Sequence, residues 1–235
     1  MENILFKYFE NRYKDSSNSL NPNPSFGPVI TLSRQAGCEA RKIGDLLVRE
    51  LNKNQAQKKW HCVDKELLTE AARELNLSPA KIEHFLKGHE NNKFVDVFAA
   101  FSKSHVNDVK IKKTLKDVLL SICRQGHLVL VGRAAAAILQ DKPNTLNIRL
   151  TAPFDWRIDS ILKNKNVTLE AAEEWAIETD ENRFKLFYTF LEKRPGNLDY
   201  LFDASLNRKC FSISQTVELI MYMAKTKGII NVSSM

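Results

Sequence analysis

Glycine is scarce in this chain, eight in 235 residues, and the glycine-rich pattern GxxxxGK[ST] that ordinarily cradles phosphates is absent. Cysteine is scarcer still. Cys38, Cys62, Cys123 and Cys210 lie far apart with no CxxC spacing, which excludes a zinc ribbon or a disulfide framework and fits free thiols in a reducing cytosol. No apolar run approaches the roughly 18 residues that crossing a bilayer requires. The opening stretch MENILFKYFENRYKD is broken by charges and has neither an apolar core nor a small-residue cleavage site, so a cytoplasmic location without membrane contact is expected. The five histidines (His61, His84, His89, His105, His127) show no ligand spacing, and no metal ligand is assigned. His127 opens a strand and reads as a turn or core residue. Internal repeats are also missing.

What is present is a chain able to bury a core. Its 43% hydrophobic content suits one domain with insertions. The net charge of +7 favours an anionic partner, yet no nucleic-acid recognition motif accompanies it, so nucleotides are expected rather than nucleic acid. Residues 1–14 read as an amphipathic helix, with Leu5, Phe9 and Tyr13 at four-residue steps and Phe6 beside them. It either docks on the body or pairs two copies into a homodimer. Asp15–Pro28, rich in Ser, Asn and Pro, has the composition of a linker.

The body alternates. Strands are expected at Val29–Leu32, Trp60–Val63, His127–Val131, Leu146–Thr151 and Leu201–Leu206. Helices are expected at Lys42–Leu51, Glu66–Leu75, Pro79–Leu86, Asn107–Arg124, Asp155–Lys163, Leu169 to about Leu191, and Ser214–Lys225. Strands separated by helical segments imply an α/β fold with a parallel sheet flanked by helices. Lys110–Lys116 reads as a solvated helix face. Phe184, Phe187, Tyr188 and Phe190 fall at helical spacing, the pattern of core or interface before that of a stacking platform.

The stretch VITLSRQAGCEARKIG, Val29–Gly44, carries the most information. A β-branched apolar run enters a polar turn with one glycine, then Ile43, Leu46, Leu47 and Leu51 recur at helical spacing. A strand passing through a tight loop into a helix N-terminus is a natural anion site, because unpaired amides and the helix dipole face the loop.

That stretch, followed by CVDKELLTEAARELNLS, HLVLVGRAAAAIL, IRLTAPFDWRIDSIL, TDENRFKLFYTFL and FDASLNRKCFSISQTVELI, resembles the cytidylate kinase-like family, a branch of the P-loop nucleoside-monophosphate kinases. The segments occur in the family's order over most of residues 29–225. The resemblance implies a P-loop core spanning about residues 29–230, a helical monophosphate-binding insertion at about 65–125 and a lid at about 164–198. Against the family's SRxYGSGGRxIG, this chain keeps Ser33, Arg34, Gly37, Arg41, Ile43 and Gly44, while Ala36, Cys38, Glu39 and Ala40 replace the rest. Two lost glycines reduce the freedom of the backbone to wrap a phosphate. Glu39 sets a carboxylate where phosphate oxygens belong, a repulsion unless it pairs with Arg41 or Lys42 or turns to solvent.

By this resemblance Arg34, Gly37, Arg41 and Lys42 would hold donor phosphates. Asp64 and Arg133 would seat the acceptor, although Asp64 is equally suited to cap the following helix. Arg41, Arg157 and Arg183 would stabilise the phosphoryl group in transfer, although Asp180 and Arg183, three apart on one helix, can also pair with each other. Ala134–Ala137 stand where a polar base-reading group is common, Ser160 where a second arginine is common, and Lys42 near the place of a metal-binding Ser or Thr. The expected activity is transfer of the ATP γ-phosphoryl group to CMP or a similar monophosphate, with Mg²⁺ accompanying ATP. The alternative is a catalytically impaired kinase fold that binds nucleotide or a partner.

Overall fold

The computed structural model describes residues 26–53, 58–64, 108–191 and 197–230. Strands β1 (Val29–Arg34), β2 (His61–Val63), β3 (Leu128–Val131), β4 (Thr145–Thr151) and β5 (Ala204–Asn207) form one sheet in the order β2-β3-β1-β4-β5. Every pairing is parallel. The parallel register needs a long crossover between neighbours, and helices supply it. They are α1 (Ala40–Asn52), α2 (Asp108–Gln125), the single turn α3 (Ala135–Ile138), α4 (Phe154–Asn164), α5 (Leu169–Phe190) and α6 (Ile213–Thr226).

Alternation along β1 explains the layers. Val29 joins Leu128, Leu130 and the buried faces of α2, α3 and α5 on one side of the sheet. Ile30 and Leu32 join Val129, Val131, Leu146, Ile148 and the faces of α1 and α6 on the other. A sheet buried on both faces needs near-continuous apolar strands, and β3 reads LVLV with all four residues buried. Thr31, the polar one among the four buried residues of β1, donates its hydroxyl to Asn147 Oδ1 on β4 at 2.7 Å.

Within the described residues the expected strands and helices are found within a few residues of their places, with one displaced. The segment expected as a strand from Leu201 begins as a 3-10 turn at Leu198–Leu201, and β5 starts only at Ala204. Asn197 accepts the amide of Asp199 through its side chain at 2.8 Å, a local bond that fixes the turn ahead of the strand. The turn α3 was not expected. The helices expected at Glu66–Leu75 and Pro79–Leu86, residues 1–14 and nearly all of the linker lie outside the described residues. Among the described residues no helix is long and apolar enough to cross a membrane.

Candidate functional site

Parallel sheets gather loops at the carboxyl ends of their strands, and ligands bind there. At that edge β1 and β3 end side by side, and two features meet: the loop 35–39 leading into α1, and the turn 132–134 leading into α3.

The first residues of the loop after β1 are tied down by hydrogen bonds to β4 and the segment after it, to α4 and to α5. Gln35 donates its amide to Leu150 O at 3.0 Å, and its side-chain oxygen accepts the Ala152 amide at 3.1 Å. The Ala36 amide donates to Asp180 Oδ1 at 2.6 Å, and the Ala36 carbonyl accepts from Arg157 Nη1 at 3.1 Å. The Gly37 carbonyl accepts from the Ser160 hydroxyl at 2.8 Å. Ala36 is itself an apolar anchor, buried with Ile158, Ile161, Ala172 and Ala176 between α4 and α5. Its methyl thus serves as the point on which α4 and α5 pack against the loop. Gly37 has φ +82°, and a Cβ there would lie 2.5 Å from the Arg157 carbonyl oxygen.

Glu39 resolves the repulsion expected of it by pairing. Its carboxylate accepts from Lys42 Nζ at 2.7 Å and lies 3.8 Å from Arg208 Nη2. Lys42 also donates to Asn164 Oδ1 at 2.7 Å. Glu39 occupies the N-cap position of α1 with φ 53° and makes no side-chain capping bond. Arg41, expected among the donor phosphates and in catalysis, is half-exposed and pairs with Asp45 at 3.1 Å one turn along α1.

The second feature is a cavity of about 230 Å³ between β1, β3, β4 and α5. Arg34, Arg133 and Arg183 line one part of it; Phe184, Phe187 and Phe202 line another. Arg34, expected at the donor phosphates, lies here instead, against the backbone of Gly132, where a Cβ would overlap its Nη1. Arg133 Nε is 3.7 Å from Asp64 Oδ1, so the two residues expected at the acceptor do meet. That Nε is buried and makes no hydrogen bond. Arg183 donates to the Arg34 carbonyl at 3.2 Å and lies 3.8 Å from Asp180 Oδ1.

Backbone geometry holds Arg133 in place. Gly132, Arg133 and Ala134 follow one another at φ 77°, 56° and 55°, a left-handed stretch that costs about 1–2 kcal/mol for each residue bearing a Cβ. Ala135 N–H and Ala137 N–H bond back to Gly132 O and Ala134 O at 3.0 and 2.9 Å. These bonds, and the burial of Ala134–Ile138, pin the turn.

Electrostatics set the cavity's preference. Burial, then Arg183, then Arg133, push the Arg34 guanidinium down to about 9, with Asp64 and Asp180 opposing. Burial also lowers Arg183, against the pull of Asp180. Guanidiniums do not readily shed protons, so the shift registers the cost of crowding cations. Arg157, buried, spends its charge on Asp180 Oδ2 at 2.7 Å. Arg149, which lines the cavity, pairs with Asp199 Oδ1 at 2.8 Å. Among the described residues five guanidiniums (Arg34, Arg133, Arg149, Arg157, Arg183) thus meet three carboxylates (Asp64, Asp180, Asp199). The surplus of two positive charges matches a phosphate monoester, which carries about −1.5 to −2 at neutral pH.

The sequence marked Asp64, Arg133, Arg157 and Arg183, and the fold brings all four to this edge. It gave no reason to single out Arg34 for the cavity, Asp180 for the Ala36 amide, Ser160 for the Gly37 carbonyl or Arg208 for Glu39. The signal for Arg34 was its place as the last residue of a buried strand, where a side chain emerges at the ligand edge. Phe187 and Phe190 are buried as expected, whereas Phe184 is exposed enough to border the cavity.

The model of the cytidylate kinase-like family matches residues 29–209. An uncharacterized protein from Eubacterium ventriosum shares 17% identity with a TM-score of 0.59, covering 85% of this chain and 98% of that one. At that identity the likeness concerns the fold. A shikimate kinase from Bacteroides thetaiotaomicron has a TM-score of 0.47 at 10% identity, covering 84% of this chain and 98% of its own. A segment of 123 residues, 52% of the chain, is 25% identical to a uronate isomerase of Corynebacterium glutamicum, and the chain spans 23% of that relative's length.

Proposed function

The chain belongs to the cytidylate kinase-like family, and from that premise we propose that it is a phosphotransferase acting on a nucleoside monophosphate, CMP or a similar acceptor. The observation that carries the reading is the convergence of Arg34, Arg133 and Arg183 on a cavity walled by phenylalanines. Three forked donors suit the oxygens of a phosphate monoester, and the aromatic wall suits a base. The donor, ATP, would lie along the loop ahead of α1, its γ-phosphoryl group facing the acceptor phosphate. An acceptor oxygen would form the new P–O bond as the bond to ADP breaks. Arg183 and Arg157 would offset the charge spread over the transferring group, the main task of such a site.

The loop does not fit a Mg²⁺ held by the protein. Lys42 stands at the start of α1, tied to Glu39 and Asn164, and among the described residues no cluster of three His, Cys, Asp or Glu could hold a metal. No step is therefore assigned to a protein-bound ion; Mg²⁺ would travel on the phosphates of ATP.

A second reading, a nucleotide-binding protein without turnover, has its own support. The Ala36 amide and the Ala36 and Gly37 carbonyls are all engaged by α4 and α5, as a retired donor loop would be. Calorimetric titration with CMP and with ATP, each with and without Mg²⁺, tests both. CMP binding that falls at least about tenfold, or 1.4 kcal/mol, in Arg133→Ala and Arg183→Ala supports the acceptor site; indifference of both variants overturns it. Transfer of label from ATP to CMP then favours the first reading, and CMP binding without transfer the second.

A further inference from the structure

Arg208 is a charge near the loop whose Cζ lies 5.9 Å from the centre of the Trp156 ring. It follows β5 and is 3% exposed. Its amide donates to Thr151 O at 2.8 Å, and its Nη1 donates to Phe211 O and, at 2.8 Å, to Thr216 Oγ1. Those bonds fix the plane of the guanidinium and use one corner of it. The remaining edge, Nε with Nη2, is a side of the fork able to grip two oxygens of a carboxylate or phosphate. Among the described residues Nε is buried with no hydrogen-bond partner, and Nη2 stands 3.8 Å from Glu39 Oε2, beyond hydrogen-bond reach.

A buried cation whose best edge is unsatisfied is costly. What it faces is the start of α1. The carboxylate of Glu39 rests there without capping the helix, and Lys42 Nζ is 2.7 Å from it. One carboxylate thus sits among two cations and the positive end of a 13-residue helix. That environment is richer in positive charge than a single carboxylate can use, and it suits an oxyanion of higher charge.

We propose that Arg208 is a binding residue for the phosphates of a polyphosphate donor and that the Glu39 carboxylate holds their place until the donor displaces it. The inference rests on the phosphotransfer reading and assigns the grip on the donor to an arginine from the far side of β4, in compensation for the glycines missing from the loop. Displacement leaves Glu39 free to turn to solvent, while Arg208 gains two short charge-assisted bonds in place of one long contact.

Calorimetric titration of Glu39→Gln with inorganic tripolyphosphate and with ATP, without Mg²⁺ and at low salt, tests it. Removal of the competing carboxylate should tighten both ligands at least about tenfold relative to the wild type, since like charges no longer meet. In the double variant Glu39→Gln, Arg208→Lys the gain should vanish, because an ammonium lacks the planar fork. No gain in Glu39→Gln, or a gain that survives Arg208→Lys, overturns the proposal, as does tightening of ATP but not of tripolyphosphate, which would locate the effect at the base. If thermal melting shows that Arg208→Lys does not fold, the Arg208 Nε–H resonance of Glu39→Gln replaces it. A downfield shift on adding tripolyphosphate supports the grip, and an unmoved resonance overturns it. CMP titration of the same variants separates the two ideas. Loss of CMP binding already in the wild type defeats the phosphotransfer reading, whereas intact CMP binding with tripolyphosphate indifferent to Glu39 defeats only this one.

Discussion

Gly37 and Gly132 both sit at positive φ, yet a methyl at each would do different harm. At Gly37 it would strike the backbone of α4, which cannot yield without parting the loop from Arg157 and Ser160. Gly37→Ala should therefore lower stability by about 1–3 kcal/mol, read as a drop in the melting temperature. At Gly132 the obstacle is the tip of the Arg34 side chain, which can move. Gly132→Ala should expel Arg34 from the cavity, so that CMP affinity falls by more than the loss of stability would suggest. Arg34 stays charged across the working pH range, so its burial and its crowding with Arg183 and Arg133 are a standing cost to the empty site that a bound dianion relieves. CMP should therefore raise the melting temperature; an unmoved melting temperature at saturating CMP would remove the three guanidiniums from the phosphate.

Among the elements, α6 has the clearest local code. Ser212 accepts from Gln215 N at 3.2 Å while Gln215 Oε1 accepts from Ser212 N at 2.9 Å, a reciprocal capping box. Ser212→Ala should cost about 1 kcal/mol, measurable by urea unfolding. Such codes explain what the sequence made legible. The strands VITL and LVLV announce themselves because both faces of the sheet are buried, and α1 because Ile43, Leu47 and Leu51 repeat on one side. The start of β5 was not legible: Leu201 and Phe202 are apolar enough for a strand, but Asn197 closes a turn that no apolar pattern encodes. Nor could pattern reveal the loop's partners. Ala36, Cys38 and Ala40 read only as departures from the family's loop, whereas the fold buries all three. Ala36 is buried by α4 and α5 and Cys38 and Ala40 by the core under α1 and α6, and α4, α5 and α6 all lie more than a hundred residues later in the chain.

Across the whole molecule, the free thiols report how the layers close over the sheet. Burial raises Cys38 to about 11 and Cys62 to about 12, the latter against the pull of Arg41, and raises Cys123 further; Cys210 is exposed. At pH 8 iodoacetamide should label Cys210 far faster than the other three, because the thiolate is the nucleophile. Rapid labelling of Cys38 would show that the loop opens in solution. The loop and the cavity are meanwhile joined by α5. Asp180 grips the Ala36 amide on one side, and Arg183, one turn on, borders the cavity on the other. An acceptor that drew Arg183 toward its phosphate would take it from Asp180, 3.8 Å away, and through Asp180 would act on the hold on the loop. Linkage then binds the two ligands in a symmetric bargain: whatever factor the acceptor adds to the donor's affinity, the donor returns to the acceptor. Their order of arrival changes the route to the ternary complex and leaves its free energy the same.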